Sequence, residues 1–68
     1  MKVSEEETRI HLTWESENRV DVERAKDLFT KLTRQGWLAI KSDHELRRIL
    51  EFKSEYKELW FIPLVEGG

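Results

Sequence analysis

The chain of 68 residues has no cysteine, one proline and three glycines. Without cysteine, neither a disulfide nor a thiolate zinc site can stabilise a domain of this size. Ordering every residue costs on the order of 100 kcal/mol, so about 4,000 Å² of apolar burial is needed to offset that cost. We therefore expect the three tryptophans and three phenylalanines mainly in the core of a single domain, residues 1–68, with 66–68 as a flexible tail.

The sequence also lacks a long apolar run and a large excess of either charge. The longest apolar run, Leu59 to Val65, is interrupted by Pro63 and is far too short to cross a bilayer. The N-terminal stretch MKVSEEET has no apolar region of the signal-peptide kind. Twelve Lys and Arg against 14 Asp and Glu give a net charge of −2, which does not indicate a nucleic-acid-binding chain as a whole. These features predict a soluble, cytoplasmic protein without membrane contact.

Motifs of catalysis and of metal binding are also missing. The two histidines, His11 and His44, have neither the HxH nor the HExxH spacing of a zinc site, and they are expected on the surface. There is no GxSxG motif and no glycine-rich loop that could hold a phosphate. We predict that the protein is not an enzyme and has neither a metal nor another cofactor.

A small basic and aromatic patch for nucleic acid could form from Arg47 and Arg48 with Lys53 and Trp60. The favoured interpretation is a charged solvent face on an outer strand, where such side chains discourage pairing with another sheet.

Alternation predicts a strand from Thr8 to Trp14, because its apolar side chains fall on one face: Ile10, Leu12 and Trp14. A helix is predicted from Asp21 to about Gln35, since apolar residues recur there at helical spacing: Val22, Ala25, Leu28, Phe29 and Leu32. Asp21 is suited to cap its start, and Gly36 to end it in a left-handed conformation. A second strand follows directly, from Trp37 to Lys41.

Residues 43–53 fit two structures. Ser42 and Glu45 have the spacing of a helix capping box, followed by an apolar stripe at helical spacing: Leu46, Ile49, Leu50, Tyr56 and Trp60. However, Lys53 falls in that stripe while Phe52 falls outside it, and Leu46, Leu50 and Phe52 also fit one face of a strand. The polar cluster that begins at Lys53 suits a hairpin loop, so a strand paired with the last strand is favoured over a helix.

The last strand is apolar on both sides, with Leu59, Phe61 and Val65 on one and Trp60, Ile62 and Leu64 on the other. In a sheet with one helix, only one face has a core to enter. Either loops cover the second face, or it binds a partner, which can be another copy of the chain. The predicted partner-binding surface is Trp60, Phe61, Ile62 and Leu64.

The resulting order of strand, helix, strand, strand, strand predicts an α+β fold with a single sheet of about four strands packed on one helix. A right-handed crossover through the helix would place the first two strands parallel.

The chain ends in two glycines, Gly67 and Gly68. A tail without side chains can enter a narrow tunnel, and its terminal carboxylate is open to activation. Residues 61–68 resemble the ends of ubiquitin-like proteins and, more closely, of the small sulfur-carrier subunits of molybdopterin and thiamine synthesis, which share the β-grasp fold. The resemblance implies that an activating enzyme acts on Gly68, and that Gly67, which has no side chain, lets the tail enter the narrow active site of that enzyme. It also implies a hairpin before the helix, which requires residues 1–4 to pair with 8–14.

A second resemblance covers more of the chain. An early strand tryptophan, GWLA after the helix, EF at Glu51 and Phe52, and a last strand running from IP to GG are similar to short phage and prophage proteins of no stated function. This resemblance implies a viral structural or host-interaction protein whose tail carries no chemistry. Both resemblances imply a non-enzymatic protein-interaction module. Gly67 and Gly68 are activated in the first case and have no chemical role in the second. A third explanation is that the two glycines are only a frayed chain end.

Overall fold

The computed structural model describes residues 1–42 and 45–63, which form one five-stranded sheet with a helix packed on one of its faces. The elements in chain order are β1 (Lys2–Glu6), β2 (Arg9–Thr13), α1 (Arg19–Arg34), β3 (Trp37–Ser42), β4 (Leu46–Ile49) and β5 (Glu58–Pro63), with one 3-10 turn at Ser54–Tyr56. The predicted α+β class is confirmed. The order in the chain is ββαβββ, so the prediction of about four strands was one strand short.

The strands lie in the spatial order β1-β2-β5-β3-β4, and every neighbouring pair is antiparallel. The strands before and after the helix, β2 and β3, run in the same direction because both are antiparallel to β5. This agrees with the predicted parallel relation, but the last strand is inserted between them. β5 is thereby the central strand, with a hydrogen-bonded neighbour on each side.

The additional strand is β1, in the stretch that the β-grasp resemblance requires to pair with residues 8–14. Lys2 to Glu6 pairs with β2 through a two-residue turn, and Glu7 in that turn has φ 54°. A hairpin therefore precedes the helix, as the resemblance to β-grasp proteins implies. The strand order and the purely antiparallel pairing show a small α+β fold, and the ubiquitin-like assignment stays a prediction.

The helix begins two residues earlier than predicted and has a different cap. Asn18, not Asp21, is the N-cap, because the Asp21 N–H donates to Asn18 Oδ1 at 3.1 Å. The Asp21 carboxylate instead accepts a hydrogen bond from the amino group of Met1 at 2.6 Å. The predicted end is confirmed: Gly36 follows the C-cap with φ 98°, the left-handed region that glycine adopts without a steric penalty.

Residues 46–49 form a strand, so the helical alternative is wrong. The predicted hairpin partner is also wrong, because β4 pairs with β3 and not with β5. Since β4 and β5 run in the same direction, residues 50–57 must cross back from one end of the sheet to the other. That crossing places the Phe52 ring 5.1 Å from Trp14 and 5.9 Å from Phe29, between centroids. The connection thereby adds an aromatic side chain to the helix side of the core.

The core lies between α1 and one face of the sheet, and it contains all the buried apolar residues of the described chain: Leu12, Trp14, Ala25, Phe29, Leu32, Ala39, Ile49, Leu59 and Phe61. The alternation predicted for β2 is confirmed, with Leu12 fully buried. Because Leu12 is opposite Leu59 and Ile10 is opposite Phe61, the pairing with β2 decides which face of β5 enters the core.

Candidate functional site

The candidate site is the face of the sheet opposite the helix, which we call the outer face. Residues opposite each other in antiparallel strands share a face, so the outer face can be followed across the sheet from the register. One row crosses all five strands, with each residue beside the next: Ser4, His11, Trp60, Ile40 and Arg48. Trp60 therefore occupies the middle of this face.

The centre of the outer face is apolar. Trp60 and Ile62 from β5 lie beside Ile40 and Leu38 from β3, and all four side chains are half-buried. Leu46, on the edge strand β4, is 77% exposed and shares the same face. In the described chain no second helix or sheet packs on this side, so the patch is open to solvent.

An open groove of about 370 Å³ runs across this patch. Its lining comes from four strands and consists of Arg9, Ile40, Ser42, Leu46, Trp60 and Ile62. Four of these six side chains are apolar or aromatic, and Arg9 is the one charged group among them. A groove of this composition can receive an apolar side chain but offers no pair of groups for acid–base or nucleophilic chemistry.

Trp60 is held in place by polar neighbours on β2 and on its own strand. The His11 imidazole stacks on the indole, with ring centroids 4.0 Å apart and planes 10° apart, and the Arg9 guanidinium carbon lies 5.1 Å from the indole centroid. His11 Nε2 is in turn 2.8 Å from Glu58 Oε2. This chain of contacts, Glu58 to His11 to Trp60 to Arg9, orients the indole without burying it.

The structure separates the residues that were predicted to form the partner-binding surface. Trp60 and Ile62 lie on the outer face, but Phe61 is completely buried in the core, so it is not part of that surface. The reason is the two-residue period of a strand, which turns neighbours to opposite faces. Leu64 and the two glycines, Gly67 and Gly68, lie outside the described residues.

The basic and aromatic patch considered for nucleic acid is not assembled. Arg48 is in the same row as Trp60, but Arg47 is paired with Lys41 on the opposite face. Lys53 lies in the connection between β4 and β5, which packs on the helix side. Of the two histidines, His11 lies on the half-buried outer face of β2, and His44 lies outside the described residues.

Sequence reasoning missed Leu38 and Ile40, which supply half of the apolar centre. The signal was present, because WLAI is apolar on both sides of the strand, just as β5 is. It was missed because the strand predicted from Trp37 to Lys41 was not divided into its two faces, and the neighbour that aligns Ile40 with Trp60 is far away in the chain.

Two searches cover only the part of the chain that the structure describes. Within 1–42 and 45–63, no cluster of three or more metal-ligating His, Cys, Asp or Glu side chains is found. Over the same residues, no helix is long and apolar enough to cross a membrane.

Comparisons with family models, with curated proteins and with solved structures give no match to this chain. The two resemblances stated from sequence patterns therefore stay predictions.

Proposed function

We propose that this protein is a non-enzymatic interaction module that binds another protein through the outer face of its sheet. The observation that carries the proposal is the apolar centre formed by Trp60, Ile62, Ile40 and Leu38, on a face that no other described element covers. When both faces of a sheet are apolar, both are normally buried. A contiguous apolar patch that stays accessible is typical of an interaction site.

The geometry around Trp60 supports the same proposal. Tryptophan is enriched among the residues that dominate binding energy, and it binds best when it is fixed before the partner arrives. His11 and Arg9 already fix the indole in the free protein. The charged and polar groups at the margin, Arg48 and Ser42 among them, give the patch the polar rim of a typical interface.

The test uses two exposed aliphatic positions on opposite sides of the molecule. Leu46 is 77% exposed beside the groove, and Val20 is 59% exposed on the helix. A photo-crosslinking amino acid at Leu46 is expected to form an adduct with one partner from the native host, and the same group at Val20 is not.

The partner identified in that way is then purified and its affinity measured. We expect Ile62→Lys to weaken binding at least tenfold, because a charge replaces an apolar contact, whereas Val20→Lys leaves the affinity unchanged. Equal affinities for the wild type and Ile62→Lys, with both proteins folded, would remove the outer face as the binding site.

A carrier or modifier activated at Gly68 is the second candidate function. The hairpin β1–β2 before the helix favours it, because the β-grasp resemblance implies such a hairpin. Incubation with an adenylating activating enzyme and ATP should give an acyl-adenylate at Gly68 with release of pyrophosphate, detected by mass spectrometry. With an added sulfide donor or amine acceptor, the adenylate should be converted to a thiocarboxylate or an isopeptide with release of AMP. If deletion of Gly67 and Gly68 changes neither partner binding nor the effect in the host, the carrier function is excluded, and the phage-type interaction protein with an idle tail is favoured.

A further inference from the structure

We propose that the groove on the outer face takes an extended peptide segment in which one bulky apolar side chain is flanked on both sides by carboxylates. This inference rests on the proposed function and adds the chemistry of the partner. It is argued from the charges beside the groove, from their separation and from the area of the patch.

Two arginines flank the apolar centre from opposite sides. Arg9 lines the groove from β2, and Arg48 lies beside Ile40 on β4. Over residues 1–42 and 45–63, neither guanidinium is within ion-pair distance of a carboxylate. Glu6 is opposite Arg9 in the register but makes no ion pair with it, and Glu58 is engaged by His11. The rim of the groove therefore favours negative charge in whatever occupies it.

The separation of the two arginines sets the spacing of the partner. Three strand-to-strand steps lead from β2 through β5 and β3 to β4, and Arg9 lies two residues along β2 from His11, which is in the row of Arg48. The lateral distance of about 14 Å and the offset of about 7 Å place the Cα atoms of the two arginines about 16 Å apart on a diagonal, a gap that their long side chains shorten. An extended chain advances about 13 Å in four residues, and residues i, i+2 and i+4 lie on one side of it. Carboxylates at i and i+4 can thus meet the arginines while the side chain at i+2 enters the groove.

The area of the face favours a peptide over a second folded copy. Five strands cover a width of about 24 Å and strands of this length about 17 Å, so the whole face has a planar area on the order of 400 Å², and only its centre is apolar. Stable interfaces between folded proteins bury about 800 Å² on each partner. A peptide segment of five to seven residues, with one side chain in the groove, fits the area of the outer face.

An acidic peptide is also a better match than single-stranded nucleic acid. One face of the indole is already stacked by His11, and the groove is lined by Ile40, Leu46 and Ile62 rather than by further aromatic platforms.

The protein is titrated separately with three peptides and one oligonucleotide, and binding is measured from the changes in its amide and indole NMR signals. The first peptide is Ser-Glu-Ser-Phe-Ser-Glu-Ser, and the second has lysines in place of both glutamates. The third, Ser-Glu-Glu-Ser-Phe-Ser-Ser, keeps the composition of the first but has both glutamates on the N-terminal side of the phenylalanine. The oligonucleotide is oligo-uridine.

We expect the first peptide to shift the signals of Arg9, Ile40, Trp60 and Ile62, and to bind about tenfold tighter than the lysine peptide at low salt. Two exposed charge pairs that change from attraction to repulsion account for a factor of this size. The rearranged peptide should fall between them. Arg48→Gln, alone and with Arg9→Gln, should reduce the difference stepwise, while Arg24→Gln on the exposed side of the helix should not.

Equal or tighter binding of the lysine peptide would overturn the inference and leave the proposed function standing. The same holds if oligo-uridine binds tighter than the acidic peptide, or if Trp60 is covered by a second copy in a dimer seen by light scattering. Absence of any shift at Trp60 with all probes at millimolar concentration would also overturn it. Failure of the proposed function itself is separate, because that appears as a missing crosslink at Leu46.

Discussion

Trp60 shows how one residue can be oriented and yet stay accessible. Its neighbours on β2 are His11, directly opposite in the register, and Arg9, two residues before it. Both side chains contact the indole ring of Trp60, and the indole still lines the open groove. The side chain thus has little freedom to lose on binding, which lowers the entropic cost of association.

Glu7 is a second residue whose conformation matters, because it adopts φ 54° in the turn between β1 and β2. A side chain with a Cβ costs roughly 1 kcal/mol in the left-handed region, and glycine does not. We expect Glu7→Gly to raise the free energy of unfolding by about 0.5–1 kcal/mol, measured by urea denaturation. Glu6→Gly is the control, since Glu6 is an extended strand residue and should lose stability instead. Loss of stability in both variants would show that the turn is not strained.

At the scale of elements, the connection from β4 to β5 does more than link two strands. It returns across the sheet over eight residues and supplies Phe52, which packs on Trp14 and Phe29. The Trp14 indole N–H also donates to the carbonyl of Ser54 in the same connection, at 2.9 Å. A loop that carries part of the core in this way should contribute to stability as strongly as a strand.

Phe52 and Leu50 test that expectation, because both are apolar, they are two residues apart and only one is in the core. Phe52→Ala should lower the free energy of unfolding by about 2–3 kcal/mol, since a part-buried aromatic side chain is removed. Leu50 is 78% exposed, so Leu50→Ala should stay within about 0.5 kcal/mol of the wild type. Chemical denaturation of the two variants side by side measures the difference, and similar losses would contradict the assigned packing.

At the scale of the molecule, one face of the sheet packs on the helix, and the other is the face that we propose for binding. The same strand, β5, serves both, with Leu59 and Phe61 fully buried toward the helix and Trp60 and Ile62 on the outer face. Because the strand is central, its backbone is fixed on both sides by β2 and β3. The proposed binding face is therefore built on the most constrained element of the sheet, which favours a preformed site.

Adjacent substitutions in β5 separate the two roles. Phe61→Ala should cost about 3–5 kcal/mol or prevent folding, because it leaves a cavity in the core. Ile62→Ala should cost about 1 kcal/mol, since its side chain is only half-buried on the open face. Thermal unfolding followed by circular dichroism gives the comparison, and a larger loss for Ile62 than for Phe61 would contradict the assignment of the faces.

Local patterns predicted most of the elements. The alternation of Ile10 and Leu12 was sufficient for β2, and helical spacing with Gly36 was sufficient for α1 and its end. Local pattern did not predict β1, because three consecutive glutamates, Glu5 to Glu7, weaken the signal of a strand. It forms because β2 offers it an edge, and that contact is not visible in a window of local sequence.

By itself, then, the sequence determined the α+β class, the helix and its glycine stop, and the apolar character of both faces of the last strand. Only the tertiary structure decided that β5 lies between β2 and β3, and which of its faces is buried. The reason is that β5 is apolar on both sides, so its own residues do not choose a face. The choice is made by the partner strand, where Leu12 is opposite Leu59 and His11 is opposite Trp60. The same pairing brings Trp60 beside Ile40 and Arg9 and forms the groove, from residues that are far apart in the chain.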